Sequence, residues 1–344
     1  MGTEHKRNNV VDAVRGFAIL IVVLGHMMTG TVNNADGIFL YRMIWSVQMP
    51  LFMLISGYVT KFHKVNLKKT KDIYLYLKKI TQRYLYPWFL WTFIIRGIVL
   101  SEHKYLDFKW LVYNMDSGYW FLFSLWMINI VFGIARYISE KSYNTEIIYL
   151  IKSILSIGIC MLVMLLVAIC KGFSFFGIKL TLYYMPFFVI GFIFGRYQEY
   201  ILDTLNKKFI HTVMVLFFVI WVGVNSRVNL YTISDNISGI FVRFVTAICG
   251  CAFIIFLINK LFSTNFFFNI LSWAGKNSLE IYLTHYVFLP KVIHIVNGTE
   301  KITTLTLSGM LSLCLIYTIT LRILFAVIKY FYSNKVVSKV LFLK

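Results

Sequence analysis

Long apolar runs separated by short polar connections dominate the chain. About 20 mostly apolar residues suffice for a helix to cross the hydrocarbon core of a bilayer. Runs of that kind cover roughly residues 10–30, 37–60, 84–100, 119–136, 147–170, 180–197, 208–225, 237–258, 267–289 and 305–330. The longest polar connection, about 61–83, is too short for a soluble domain, so 1–344 reads as a single membrane domain. No inverted repeat of the kind common in transporters is visible. The pattern predicts an all-α, polytopic integral membrane protein with about ten transmembrane helices.

Composition agrees: 59% of residues are hydrophobic and 14% charged, too apolar for a soluble chain of this length. Tyrosine and tryptophan, 22 and 8 residues, suit the two interfacial belts. The formal net charge of +20 would suggest nucleic acid in a soluble protein. Here the basic residues are spread over loops, where they fix topology and meet anionic lipid, and nucleic-acid binding is not expected. Most lysines and arginines fall in segments that share one side with the N-terminus. This predicts a cell-membrane protein with both termini cytoplasmic. The first apolar run is long, carries charges and has no small-residue cleavage site, so it reads as a retained anchor helix. The five cysteines (Cys160, Cys170, Cys249, Cys251 and Cys314) sit in or beside apolar runs at spacings that suggest neither a metal site nor a disulfide framework.

Ionisable residues inside the spans change the picture, because each needs a partner or a wet cavity at membrane depth. The first span, Val11 to Gly30, holds Asp12, Arg15 and His26. Arg15 and His26 are separated by three helical turns with about 20° of drift, which puts them on one face about 16 Å apart. Asp12 shares that face. The arrangement suggests a site reached from both membrane surfaces, with His26 toward the outside. In the second span, Gln48-Met-Pro-Leu-Phe-Met-Leu-Ile-Ser-Gly-Tyr58 combines a Pro50 kink with a small-residue contact at Ser56-Gly57.

Lys79 and Arg83 lie one turn apart at the end of a basic loop, where they would suit phosphate groups on the cytoplasmic side. Trp120 opens the fourth span, and Arg243 lies one or two turns inside the eighth. In the ninth span Ser278, Tyr282 and His285 share a face, with Glu280 beside it. All four prolines (Pro50, Pro87, Pro186 and Pro290) fall at span kinks or ends.

An intramembrane histidine serves equally well as a general base near neutral pH or as a proton relay. On the residues alone, an enzyme and a proton-coupled transporter stand level. A metal site is disfavoured, since His26 and His285 belong to separate spans and no third ligand is evident.

Arg15 followed after ten residues by His26 resembles the first-helix signature of the acyltransferase-3 family of membrane O-acyltransferases. Met49-Pro-Leu-Phe-Met-Leu-Ile-Ser-Gly-Tyr58, Tyr119-Trp-Phe-Leu122 and Gly275-Lys-Asn-Ser-Leu-Glu-Ile-Tyr-Leu-Thr-His285 resemble three further landmarks of that family, in the same order along nearly the whole chain. Two positions depart from the pattern. Ile80 stands where an arginine three before Arg83 is common, with Lys79 beside it, and Leu51 replaces the first of two phenylalanines. The stand-alone form, with no soluble domain attached, is most similar to the fucose 4-O-acetylase-like branch.

The resemblance implies transfer of an acetyl or other acyl group from cytoplasmic acetyl-CoA to a hydroxyl of a cell-surface or lipid-linked glycan. It implies His26 as general base or transient acyl carrier, Arg15 steadying the donor or paired with Asp12, and Lys79 and Arg83 on the donor phosphates. Ser56, Trp120, Ser278 and His285 would line the path, Glu280 would belong to the same polar cavity, and Arg243 would stabilise a developing oxyanion. Acetyl-CoA is then a substrate, and no metal is expected. The partners are a glycan or lipid-linked sugar acceptor and membrane lipid. Self-association as a homo-oligomer is left open. The alternative function is a proton-coupled transporter or exporter of a glycan or lipid intermediate, and a third is a structural membrane subunit.

Overall fold

A computed structural model describes residues 9–62, 67, 69–141, 145–204, 206–233, 236–261, 266–288, 296–297 and 307–342. The described chain is almost wholly helical. Strand is confined there to a two-residue parallel ladder, β1 (Val32–Asn33) with β2 (Val296–Asn297). Helix is what the solvent demands: lipid offers no partner for a backbone N–H or C=O, so each must be satisfied within its own segment. Seven described helices are individually long and apolar enough to cross a membrane. Two other expected spans, 84–100 and 267–289, are interrupted helices. The last, expected at 305–330, is a helix whose described part begins at Leu307. Pro290 lies outside the described residues.

The chain divides into two compact units. The first comprises Met1–Tyr58 and Gly191–Asn334. It holds α1 (Asn9–Thr31), α2 (Phe39–Val59) up to Tyr58, and the second part of α8 (Ile178–Thr204). It also holds α9 (Lys207–Arg227), α10 (Ile237–Leu261), α11 (Phe266–Lys276), α12 (Ser278–Phe288) and α13 (Leu307–Ser333). Small residues set its closest approaches. A Cβ added to Gly191 would fall 1.9 Å from the Leu54 carbonyl oxygen, and one added to Gly195 would fall 2.8 Å from that of Tyr58. The close contact expected at Ser56-Gly57 is therefore made by glycines of the facing helix. Pro50 lies inside α2 and lacks an N–H, so one backbone hydrogen bond of the helix is missing there. Just above it, the Trp221 indole donates to Ser46 Oγ at 2.9 Å, and the Cys251 thiol meets the Val47 carbonyl at 3.8 Å. Gly250 lets α10 reach that junction, since any Cβ there would strike Val47 and Trp221.

The second unit comprises Val59–Ile190 and Lys335–Lys344. It holds α3 (Thr70–Ile80), α4 (Tyr86–Phe89), α5 (Phe108–Tyr113), α6 (Trp120–Lys141), α7 (Glu146–Lys171), the first part of α8 and α14 (Lys335–Phe342). The span expected at 84–100 is a helix that begins at Thr70 and widens to π geometry at Thr81–Leu85 and again at Leu90–Val99. Pro87 supplies a reason for the first widening: in an α-helix the Arg83 carbonyl would need the N–H that proline lacks. The Tyr86 N–H indeed reaches back five residues to the Thr81 carbonyl. The C-terminal helix α14 is tied here through Trp91, whose indole donates to the Leu341 carbonyl at 3.3 Å.

Candidate active site

The site begins with a glycine crossing. A Cβ on Gly16 would lie 1.7 Å from the Leu271 carbonyl oxygen, and one on Gly275 1.7 Å from that of Asp12. The backbones of α1 and α11 therefore touch, and no side chain larger than hydrogen fits. Ten residues farther along each helix the next contact appears: His26 meets His285 and Tyr286. Equal advance along both helices means that they run parallel and in register. A parallel first and ninth span requires an odd number of crossings between them, which fits the seven expected from the sequence.

The ninth span is not one uninterrupted helix. It breaks at Asn277, whose N–H is shared between the Trp273 and Ala274 carbonyls, each at 3.2 Å. Asn277 Nδ2 donates again to the Trp273 carbonyl at 2.8 Å. The break lies directly beyond the glycine crossing and begins α12, which carries Ser278, Glu280, Tyr282 and His285.

At the far end of this pair, His26 Nε2 and Tyr286 Oη are 3.1 Å apart. The His26 and His285 ring centroids are 5.3 Å apart, and those of His285 and Tyr286 4.3 Å. His285 Nδ1 lies 2.6 Å from the Tyr282 carbonyl oxygen and 3.2 Å from that of Ile281. A carbonyl can only accept, so Nδ1 carries a proton and donates to it. His285 is 1% exposed, whereas His26 is half-buried.

The two histidines are thus neighbours, although they lie on separate spans. Separation on different spans therefore gives no reason to disfavour a metal. Among the described residues no group of three His, Cys, Asp or Glu is placed to hold an ion.

The other expected residues of this unit fall along the same helices. Asp12, 2% exposed, and half-buried Arg15 sit at the glycine crossing. Glu280 is 1% exposed, and Ser278 is half-buried on the first turn of α12. Ser56 is half-buried beyond Pro50 on α2. The Arg243 guanidinium donates to the backbone carbonyl of Ile233, which ties α10 to the loop before it.

Lys79, Arg83 and Trp120 belong to the second unit. Lys79 is exposed on the last turn of α3. Arg83 is also exposed, and it lies on the π turn with its guanidinium 5.5 Å from the centre of the Tyr84 ring. The wider turn rotates Arg83 away from the i, i+4 alignment with Lys79 that a regular helix would give. Nearby, Glu140 accepts from Arg136 Nε at 2.9 Å and from the Leu67 backbone N–H at 2.6 Å, which pins the end of the basic loop to α6. Tyr76 is half-buried against α6, and desolvation, then Tyr84, raise its hydroxyl above the usual tyrosine range, with Arg136 opposing. Trp120 stacks on Tyr184, with ring centroids 5.4 Å apart.

Two residues of the site escaped the sequence reading. Tyr286 follows His285 directly and so falls off the Ser278, Tyr282, His285 stripe; its role comes from α1, which periodicity within one helix does not report. Gln48 stood within a quoted stretch but was absorbed into the Pro50 kink. Its Oε1 is 3.0 Å from where a Gly25 Cβ would be, next to His26.

The model of a family described as an acyltransferase domain matches residues 8–326, taking in α1 to most of α13. Nodulation protein NolL of Sinorhizobium fredii (strain NBRC 101917 / NGR234) is 24% identical over 225 residues, which covers 62% of this chain and 55% of that protein. The match therefore spans little more than half the length of that relative. No solved structure matches the chain. With the helical membrane fold and a family match from before α1 into α13, this polytopic membrane protein belongs to the acyltransferase-3 family.

Proposed function

We propose that the protein is a membrane O-acetyltransferase of the cell membrane, with both termini cytoplasmic. It moves an acetyl group from cytoplasmic acetyl-CoA to a hydroxyl of a cell-surface or lipid-linked glycan. The observation that supports this most is the His26 imidazole, with Nε2 3.1 Å from a tyrosine hydroxyl and a second histidine beside it. That distance is the hydrogen-bond reach a general base needs to an O–H proton. An acceptor hydroxyl within the same reach of Nε2 would give up its proton there.

The acceptor gives its proton to His26 Nε2 while its oxygen attacks the thioester carbonyl. The resulting oxyanion collapses, the carbon–sulfur bond breaks, and the CoA thiolate takes the proton back from the imidazolium. Atoms and charge balance without a further reactant. Arg15, with Asp12 near it, steadies the donor at the opposite end of α1. Lys79 and Arg83 hold its phosphates. Arg243 provides positive charge for the oxyanion, and Ser56, Trp120, Ser278, Glu280 and His285 line the route.

The test is transfer of radiolabel from acetyl-CoA to surface glycan in membranes carrying the intact protein or His26→Ala at matched levels. Label that requires His26 supports the proposal. Equal label from both removes His26 from the chemistry and points to His285 instead.

A further inference from the structure

The end of the first unit nearer His26 carries polar groups that the proposed chemistry does not use. α2 and α9, with the segments just before α2 and just after α9, meet there at two tie points. Trp221 Nε1 donates to Ser46 Oγ at 2.9 Å, and Asn229 Nδ2 donates to Asp36 Oδ2 at 2.9 Å. Moving up α9 from 221 to 229 corresponds to moving back from 46 to 36, so the two segments are antiparallel. Arg42 lies one turn before Ser46, and Asn225 lies one turn after Trp221. Both therefore stand at one level between the ties.

Asn225 is 0% exposed. Its Nδ2 donates to the Trp221 carbonyl at 2.8 Å, which fixes the amide orientation and leaves Oδ1 as the other atom. That Oδ1 and the buried Nε of Arg42 meet no hydrogen-bond partner among the described residues. Leaving such groups unsatisfied is unfavourable, so a donor and an acceptor are both waiting for a ligand or water. Aromatic residues belong to the same two segments. Tyr231 packs edge-on to Trp45 at 5.5 Å and to Tyr41 at 6.4 Å, yet remains 54% exposed.

We infer that this end of α2 and α9 is a saccharide subsite, in which Arg42 and Asn225 hydrogen-bond sugar hydroxyls and the Tyr41, Trp45 and Tyr231 rings wall the flat apolar face of the sugar. A hydroxyl both donates and accepts, so neighbouring hydroxyls of one ring satisfy Arg42 Nε and Asn225 Oδ1 together. A phosphodiester only accepts and would leave Asn225 unmet. An ammonium group only donates and would leave Arg42 unmet. An interfacial aromatic belt would explain the rings but not a fully buried asparagine. α1 touches α2 at Gly25, against Ile44 and Gln48. Arg42 is thus about 9 Å along α2 from Gln48, on the approach to His26. The subsite rests on the acyl-transfer reading for its place in the reaction, as the seat of the acceptor.

The test is saturation-transfer-difference NMR on the full-length protein in nanodiscs. The probes are methyl fucoside, methyl rhamnoside and methyl N-acetylglucosaminide. The expected result is transfer to at least one probe in the intact protein. Binding should be about tenfold weaker in Arg42→Leu and Asn225→Leu, the scale of losing one hydrogen bond to a charged or buried group. Tyr231→Ala, at a ring that is 54% exposed, should weaken it as well. Unchanged binding in all three variants, or binding of no probe by the intact protein, overturns the inference. So does a result in which Arg42→Leu alters only retained anionic lipid. Variant-sensitive binding without any acetyl transfer would sink the acyl-transfer reading and leave the subsite. His26-dependent transfer with variant-insensitive binding would do the reverse.

Discussion

Replacing Gly16 by alanine tests the contact on which the whole site geometry depends. The added methyl would lie 1.7 Å from the Leu271 carbonyl oxygen, 2.6 Å from its carbon and 2.9 Å from the Gly275 nitrogen. All three are backbone atoms, so no rotamer change relieves the clash. Reaching even a tight 3.0 Å contact requires α1 and α11 to separate by about 1.3 Å, a displacement carried by two helices rather than one side chain. Overpacking of this kind destabilises by about 1–3 kcal/mol, against a helix-propensity gain for alanine of about 1 kcal/mol. The net expectation is a loss of about 1 kcal/mol, which lowers the melting temperature by about 2 °C.

Gly158→Ala is the matched control, because nothing lies within 4 Å of its added Cβ and only the propensity gain remains. The two variants should therefore move in opposite directions in a thermal unfolding scan of the detergent-solubilised protein. Acetyl transfer should fall further than folding in Gly16→Ala, since a shift near 1 Å at a reacting centre can cost about 100-fold in rate. If Gly16→Ala unfolds at the same temperature as Gly158→Ala, the glycine crossing does not set the register that brings His26 to His285.

Tyr286→Phe removes the 3.1 Å contact to His26 Nε2 while keeping the ring. It should lower the rate constant by about tenfold or less, with donor KM unchanged, in a steady-state labelling assay. The pair Lys79→Ala and Arg83→Ala should raise KM for acetyl-CoA and leave turnover at saturating donor intact. An unchanged KM would place the donor phosphates elsewhere. Arg136→Ala takes away the guanidinium and leaves the Glu140 carboxylate held by the Leu67 N–H. Breaking a largely buried ion pair destabilises by about 3 kcal/mol. Adding Glu140→Gln to that variant should recover part of the loss in the same unfolding scan.

The sequence by itself determined the membrane fold, because apolar runs of span length have no other stable home and lipid forces each into helix. It also marked Asp12, Arg15, His26, Glu280 and His285, since an ionisable group at membrane depth stands out against an apolar background. Parity of the spans was legible too, and the parallel run of α1 with α11 and α12 agrees with it. What the tertiary structure alone decided is which of these groups meet. Periodicity reports faces within one helix, so it could align Arg15 with His26 but could not bring Tyr286 to His26 or Gln48 to Gly25. The glycine crossing was equally hidden, because Gly16 and Gly275 are distant in sequence and each alone reads as a small residue. The π turn that carries Arg83 escaped for a different reason: a widened turn keeps the hydrophobic pattern of a helix and shows itself only in where the backbone hydrogen bonds go. Contact between distant segments is decided by packing, and packing is a property of the folded chain.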